Sequence, residues 1–197
     1  MANIYFFCSA ESEADEKKVF GTDAPLTDNG RLQAIKARKI FTNVPIGIIL
    51  SSSQLRAFTT AKIMFPDKYG FAVDKRFDEL NFGAMEGLPI TDFARERIVN
   101  NIDKLDEVVK GDNVQQRVED ALIGLYTYAK VTDKDIVLVS HDSILECMLM
   151  KIGFTNEKLR QDGGFKFWGN GKILNGHAVV LNKNSYLNAI QSLYGVN

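Results

Sequence analysis

The segment IVLVSHDSIL, residues 136–145, runs four apolar residues into a serine, a histidine and an aspartate, then resumes its apolar character. A short continuous apolar run suits a strand covered on both faces, as in a parallel sheet. Beyond Asp142, the residues Ile144, Leu145, Met148, Leu149 and Ile152 fall on one side of a helix that stops at Gly153. A buried strand, a polar turn and a new helix therefore follow one another within twenty residues.

Working outward, Ile4-Tyr5-Phe6-Phe7 and Ile46-Gly47-Ile48-Ile49-Leu50 are similar runs. After the first, Thr27 is placed to cap a helix that includes Leu32, Ile35 and Phe41 and ends near Thr42-Asn43, before Pro45. From Val114, the residues Val118, Ala121, Leu122, Leu125 and Ala129 recur at helical spacing and lead into the strand at Ile136. Residues 88–110 read as one or two helices over the sheet, and Phe165–Trp168 and Ala178–Leu181 as later strands. Alternating strand and helix predicts an α/β fold with a mostly parallel central sheet and helices on both faces.

Composition bounds the function. The chain has 197 residues with 45% hydrophobic content, enough for one sizeable core, and no linker-like stretch divides it, so a single domain over 1–197 is expected. The 24 basic and 25 acidic residues are mixed along the chain, which points away from nucleic acid and from a membrane surface. No apolar run approaches the roughly 20 residues that span a bilayer. Two cysteines, Cys8 and Cys147, make no disulfide framework, and the N-terminus lacks a secretory pattern, so a reduced, cytoplasmic protein is expected. No metal-ligand spacing is present, and no cofactor is indicated. Oligomeric state leaves no signal in the sequence.

Three strands share a feature at their ends. The first is followed by Cys8-Ser9-Ala10-Glu11, the second by Ser51-Ser52-Ser53 and then Arg56, and the third by Ser140-His141-Asp142. Ligands of open α/β sheets bind beyond the carboxyl ends of the strands, so these segments are expected to share a pocket. Hydroxyls, an arginine and a histidine beside helix N-termini suit the oxygens of phosphate or carboxylate. Each residue also has a plain structural reading: the serines as helix caps, Arg56 as partner of a surface acid, His141 as a satisfied turn residue.

Taken in series, LTDNGRLQA (26–34), SSSQLRAFTTA (51–61), FDELNFGAMEG (77–87), GDNVQQRVEDAL (111–122) and VLVSHDSIL (137–145) resemble the histidine phosphatase superfamily, the phosphoglycerate mutase-like fold. The order and spacing agree over about the first three quarters of the chain. The resemblance implies a three-layer α/β/α architecture and a phosphoric monoester hydrolase or phosphomutase. In the family, a histidine within Arg-His-Gly attacks phosphorus and carries the phosphoryl group. A second arginine and a second histidine stabilise the transferring charge, and an acid protonates the leaving oxygen.

Position by position, the resemblance assigns Arg56 to the second arginine, His141 to the second histidine and Glu79 to the proton donor. The chain departs from the pattern where the family carries Arg-His-Gly. Cys8, Ser9 and Ala10 stand there, followed by a matching Glu11, so Ser9 occupies the place of the nucleophile. Asp15 stands where the family usually has an asparagine, and Asp142 where a glycine is common; both add negative charge near the pocket.

Three readings follow. The first is a catalytically impaired member whose pocket still takes a phosphorylated or anionic small molecule. The second is an active phosphatase attacking through Cys8, Ser9 or water. The third is a protein-binding scaffold. His177, the second histidine of the chain, lies outside every matching motif. Substrate choice is expected to lie in residues 88–110, over the pocket.

Overall fold

In the computed structural model, which describes residues 2–21, 23–66, 70–91, 113–153, 175–176 and 178–196, Phe6 and Phe7 are both buried although they are adjacent. Neighbouring strand residues point to opposite faces, so the sheet is covered on both. Ile4, Phe6 and Cys8 enter one apolar cluster, Phe7 the other; Ile136 and Leu138 divide from Val137 and Val139 in the same way.

The elements run β1 (Asn3–Cys8), α1 (Glu13–Lys17), α2 (Asp28–Ile40), β2 (Ile46–Ser51), α3 (Leu55–Met64) and β3 (Gly70–Val73). After two short 3-10 turns come α4 (Val114–Lys130), β4 (Asp135–Ser140), α5 (Asp142–Lys151), β5 (Ala178–Asn182) and α6 (Lys183–Tyr194). The sheet order is β3-β2-β4-β1-β5. Strands β1 to β4 pair in parallel, with Cys8 opposite Ser140 and Ser51 opposite Val139, and β5 lies antiparallel on β1. Helices α2 and α3 cover one face and α4, α5 and α6 the other, making the three-layer α/β/α arrangement expected.

Strand order positions the site. Beyond β1 the chain passes to the α2 face, whereas beyond neighbouring β4 it passes to the α5 face. Adjacent strands whose connections diverge leave a crevice between their carboxyl ends. Ser9 and His141 lie at that crevice.

Most element boundaries match the sequence reading. Thr27 caps α2, its side chain accepting from Gly30 N, and α4 buries Val118, Ala121, Leu122, Leu125 and Ala129. The inward face of α2 differs, because Leu32 is 54% and Ile35 46% exposed while Gly30, Ala34 and Ala37 are buried. Small residues win that face: Ala34 and Ala37 pack in one cluster with Ala57 and Ala61 of α3, and larger side chains would hold the helices apart. Strand β3 and helix α6 have no counterpart in the sequence reading. The expected strand at Phe165–Trp168, most of residues 88–110 and His177 lie outside the described residues.

Candidate active site

The turn that follows β1 is held on every side. Ser9 N donates to Ser140 O at 2.8 Å, which prolongs the β1–β4 ladder, and Ala10 N donates to Thr60 Oγ1 at 3.0 Å. The Glu11 carboxylate accepts from Thr27 Oγ1 at 2.6 Å and Asn29 Nδ2 at 3.2 Å, while Glu11 N donates to Gln33 Oε1 at 2.9 Å. Gly30 lets α2 approach this turn, since a Cβ there would lie 2.0 Å from Glu11 O. LTDNGRLQA therefore builds the seat of the Cys8-Ser9-Ala10 turn. Ser9 itself is 2% exposed.

Behind the crevice lies a polar chain. His141, the N-cap residue of α5, is 1% exposed and places Nε2 2.8 Å from Ser52 Oγ. Ser52 Oγ donates to Asp78 Oδ1 at 2.8 Å and accepts from Gln54 N at 3.1 Å. Asp78 also accepts from Ser53 N and Ser53 Oγ, each at 2.7 Å. His141 Nδ1 is buried without a hydrogen-bond partner. Burial, helped by the Arg56 and Arg117 charges, holds the His141 ring well below the usual histidine range, which keeps it neutral.

The acid and the base of the site form a pair. Arg56 Nη2 stands 3.5 Å from Glu79 Oε2, and both side chains are 7% exposed. Glu79 Oε1 accepts from Leu80 N at 2.8 Å. Burial and the Asp142 charge push the Glu79 carboxyl up to about 7, against the pull of Arg56. At neutral pH it is therefore divided between acid and carboxylate, the condition under which a carboxyl both donates and accepts a proton. The loop that carries it is clamped by Arg117, which donates to Arg76 O, Asp78 O and Glu79 O, and by Ser140 Oγ, which donates to Phe77 O at 2.6 Å.

One cavity of about 360 Å³ joins these groups, with Cys8, Ser9, Arg56, Glu79, His141 and Asp142 in its wall. That volume suits a small molecule. Asp15 and Lys18 also reach it, at its mouth. The Asp15 side chain is not simply an added charge in the pocket: it closes a capping box at the start of α1, accepting from Ser12 N at 2.8 Å and Ser12 Oγ at 2.7 Å.

Neither candidate nucleophile is activated. Ser9 Oγ has no hydrogen bond to a base among the described residues. The Cys8 thiol is pushed well above its ordinary value by burial and by Asp142, Asp15 and Glu79, with Arg56 opposing. A thiolate is disfavoured there. Burial, seconded by Glu146, likewise raises the Cys147 thiol, which lies in the core.

The six residues assigned to the site from the sequence, Cys8, Ser9, Asp15, Arg56, Glu79 and His141, thus meet at one cavity, with Asp142 beside them. The sequence reading missed Asp78 and Arg117. Both lie inside the matching segments, but their contacts cross between loops distant in sequence. Among the described residues, no cluster of His, Cys, Asp and Glu is arranged to hold a metal ion, and no helix is long and apolar enough to cross a membrane.

Comparison with known proteins agrees with this architecture. The family model of the histidine phosphatase superfamily (branch 1) matches residues 4–164. "Putative phosphoserine phosphatase 2" of Hydrogenobacter thermophilus is 37% identical over 91 residues, 44% of this chain and 44% of that protein. The match thus spans less than half of that curated relative. Among solved structures, a phosphoserine phosphatase variant of Entamoeba histolytica in complex with phosphoserine superposes with a TM-score of 0.66 at 24% identity, covering 94% of this chain and 98% of that one. The alpha-ribazole phosphatase of Shigella flexneri gives 0.69 at 20% identity, covering 91% and 90%. At such identities the structural likeness speaks to the fold.

Proposed function

Because this chain belongs to the histidine phosphatase superfamily, branch 1, we propose that it is a member impaired in covalent phosphoryl transfer that retains a pocket for a phosphorylated or anionic small molecule. The observation that carries this reading is Ser9, buried at the carboxyl end of β1 in the wall of the cavity that also holds Arg56, Glu79 and His141. Family chemistry requires an imidazole at the position of Ser9. A hydroxyl without a base is a poor nucleophile, and a phosphoserine ester is harder to hydrolyse than a phosphohistidine. With Cys8 in place of the neighbouring arginine, one donor to the phosphoryl oxygens is lost as well.

The remaining parts suit binding. Arg56 supplies a guanidinium fork, Glu79 a carboxyl that titrates near neutrality, and His141 a buried ring. Cysteine catalysis through Cys8 is the weaker reading, since burial and three carboxylates hold its thiol protonated. We further take residues 1–197 as one domain, with the segment that begins near Leu88 as its cover. In support, Ile90 N donates to Lys18 O at 2.8 Å and Phe20 N to Leu88 O at 2.9 Å, which brings that segment to the cavity mouth.

The test is calorimetric titration with phosphoserine and with 3-phosphoglycerate, the ligands named for the Entamoeba histolytica structures. Saturable binding of either that disappears in Arg56→Ala supports the pocket; absence of heat with both, in a folded protein, refutes it.

A further inference from the structure

The hydrogen bonds around Ser52 leave no freedom in its roles. A hydroxyl has one proton and two lone pairs. The proton goes to the Asp78 carboxylate, 2.8 Å away, and one lone pair takes Gln54 N–H at 3.1 Å. The contact with His141 Nε2 at 2.8 Å must then be one in which the ring donates and Ser52 accepts. A neutral imidazole that donates from Nε2 carries a lone pair on Nδ1. That nitrogen is buried and unpartnered, in a residue of the cavity wall.

We propose that Asp78 is a positioning residue that, through Ser52, holds the His141 ring at the cavity wall as the Nε2–H tautomer. This goes beyond the phosphate-pocket reading and does not rest on it.

Asp78 suits the role by its saturation. Its oxygens accept from Ser52 Oγ, Ser53 N and Ser53 Oγ, which fixes the carboxylate and with it the direction of the Ser52 proton. Its side chain does not line the cavity, so the influence of its carboxylate on the His141 ring passes through Ser52.

One measurement tests the proposal. Nitrogen-15 NMR of the ring, assigned by loss of the signal in His141→Gln, reads the tautomer without ligand; the chain has only one other histidine, His177. The expected result is a protonated Nε2 and a bare Nδ1 in the parent at pH 7.5, and mixed tautomers in Ser52→Ala and Asp78→Ala. Ser52→Ala keeps the Asp78–Ser53 bonds and so serves if Asp78→Ala does not fold. A protonated Nδ1 in the parent, or a tautomer unchanged in folded Ser52→Ala, overturns the proposal.

Discussion

Arg56 and Glu79 form an ion pair, Nη2 to Oε2 at 3.5 Å, with both side chains buried at the carboxyl end of the sheet. A buried pair is costly to break from one side, because the surviving charge loses its compensation. Arg56→Ala should therefore destabilise the protein by about 3–5 kcal/mol at pH 8, where Glu79 must ionise or remain protonated at a cost. At pH 5.5 the loss should be smaller, because Glu79 without Arg56 is held neutral there. Urea melts at the two pH values measure the difference; an equal loss at both contradicts it.

Glu79 and His141 should give pH dependences of opposite sign. The Glu79 carboxyl is raised to about 7, so the native state binds the extra proton and its contribution to stability is present at low pH and lost as pH rises through 7. The His141 ring is depressed, so its contribution is present above the ordinary histidine value near 6.5 and lost as pH falls below it. Between about pH 5 and 6.5 the two oppose each other. Relative to the parent, Glu79→Gln should lose stability as pH falls through this window, and His141→Gln should gain it, each by at most about 1.4 kcal/mol per pH unit. Denaturant melts across the window that show both variants sloping alike would contradict the assignment.

Arg117 holds the backbone that carries Glu79. Removal of its hydrogen bonds to the carbonyls of Arg76, Asp78 and Glu79 leaves three acceptors short of a charged donor. Arg117→Ala should destabilise by about 2–3 kcal/mol. It should also weaken ligand binding, although Arg117 does not line the cavity, because Glu79 loses its support. Thermal melts and calorimetry on the same preparation check both parts.

Gly30→Ala tests the seat of the Cys8-Ser9-Ala10 turn. The new Cβ would meet Glu11 O at 2.0 Å, so α2 or the turn must shift. A loss of about 1–3 kcal/mol is expected, whereas the same exchange in an open helix stabilises. A neutral or stabilising result contradicts the close approach.

The sequence made the strands legible where apolar runs were continuous, as at Ile4–Phe7 and Ile136–Val139, because a short apolar run bounded by turn residues suits a strand covered on both faces. It made α4 and α5 legible through helical periodicity. Strand β3 was hidden: Gly70–Val73 is half-exposed at the sheet edge, and its apolar run, Phe71-Ala72-Val73, is too short to stand out. Helix α6 did carry signals, with Asn182 capping Asn184 N and Ser185 N and Gly195 at φ 63° beyond its end, but its apolar stripe is thin. Tyr186 and Ile190 are its only buried residues, and Tyr186 OH bonds Leu122 O at 2.6 Å.

At the site, the residues that follow strand ends were readable, because the fold dictates where strand ends meet. Their partners were not. Asp78 reaches Ser52 and Ser53 from a loop about 25 residues away, and Arg117 reaches the same loop from α4. Asp15 was readable as a charge near the pocket, and it does line the cavity, but its engagement with Ser12 was not readable.

The central claim, a preserved pocket that lacks its nucleophile, is tested most directly by phosphate release from a broad panel of phosphate monoesters. The parent is compared with Cys8→Arg/Ser9→His/Ala10→Gly, and with that triple variant carrying His141→Ala. The parent is expected at background and the triple variant at least about 100-fold above it, falling back when His141 is removed. Parental turnover that matches the triple variant and persists in Ser9→Ala would contradict the claim.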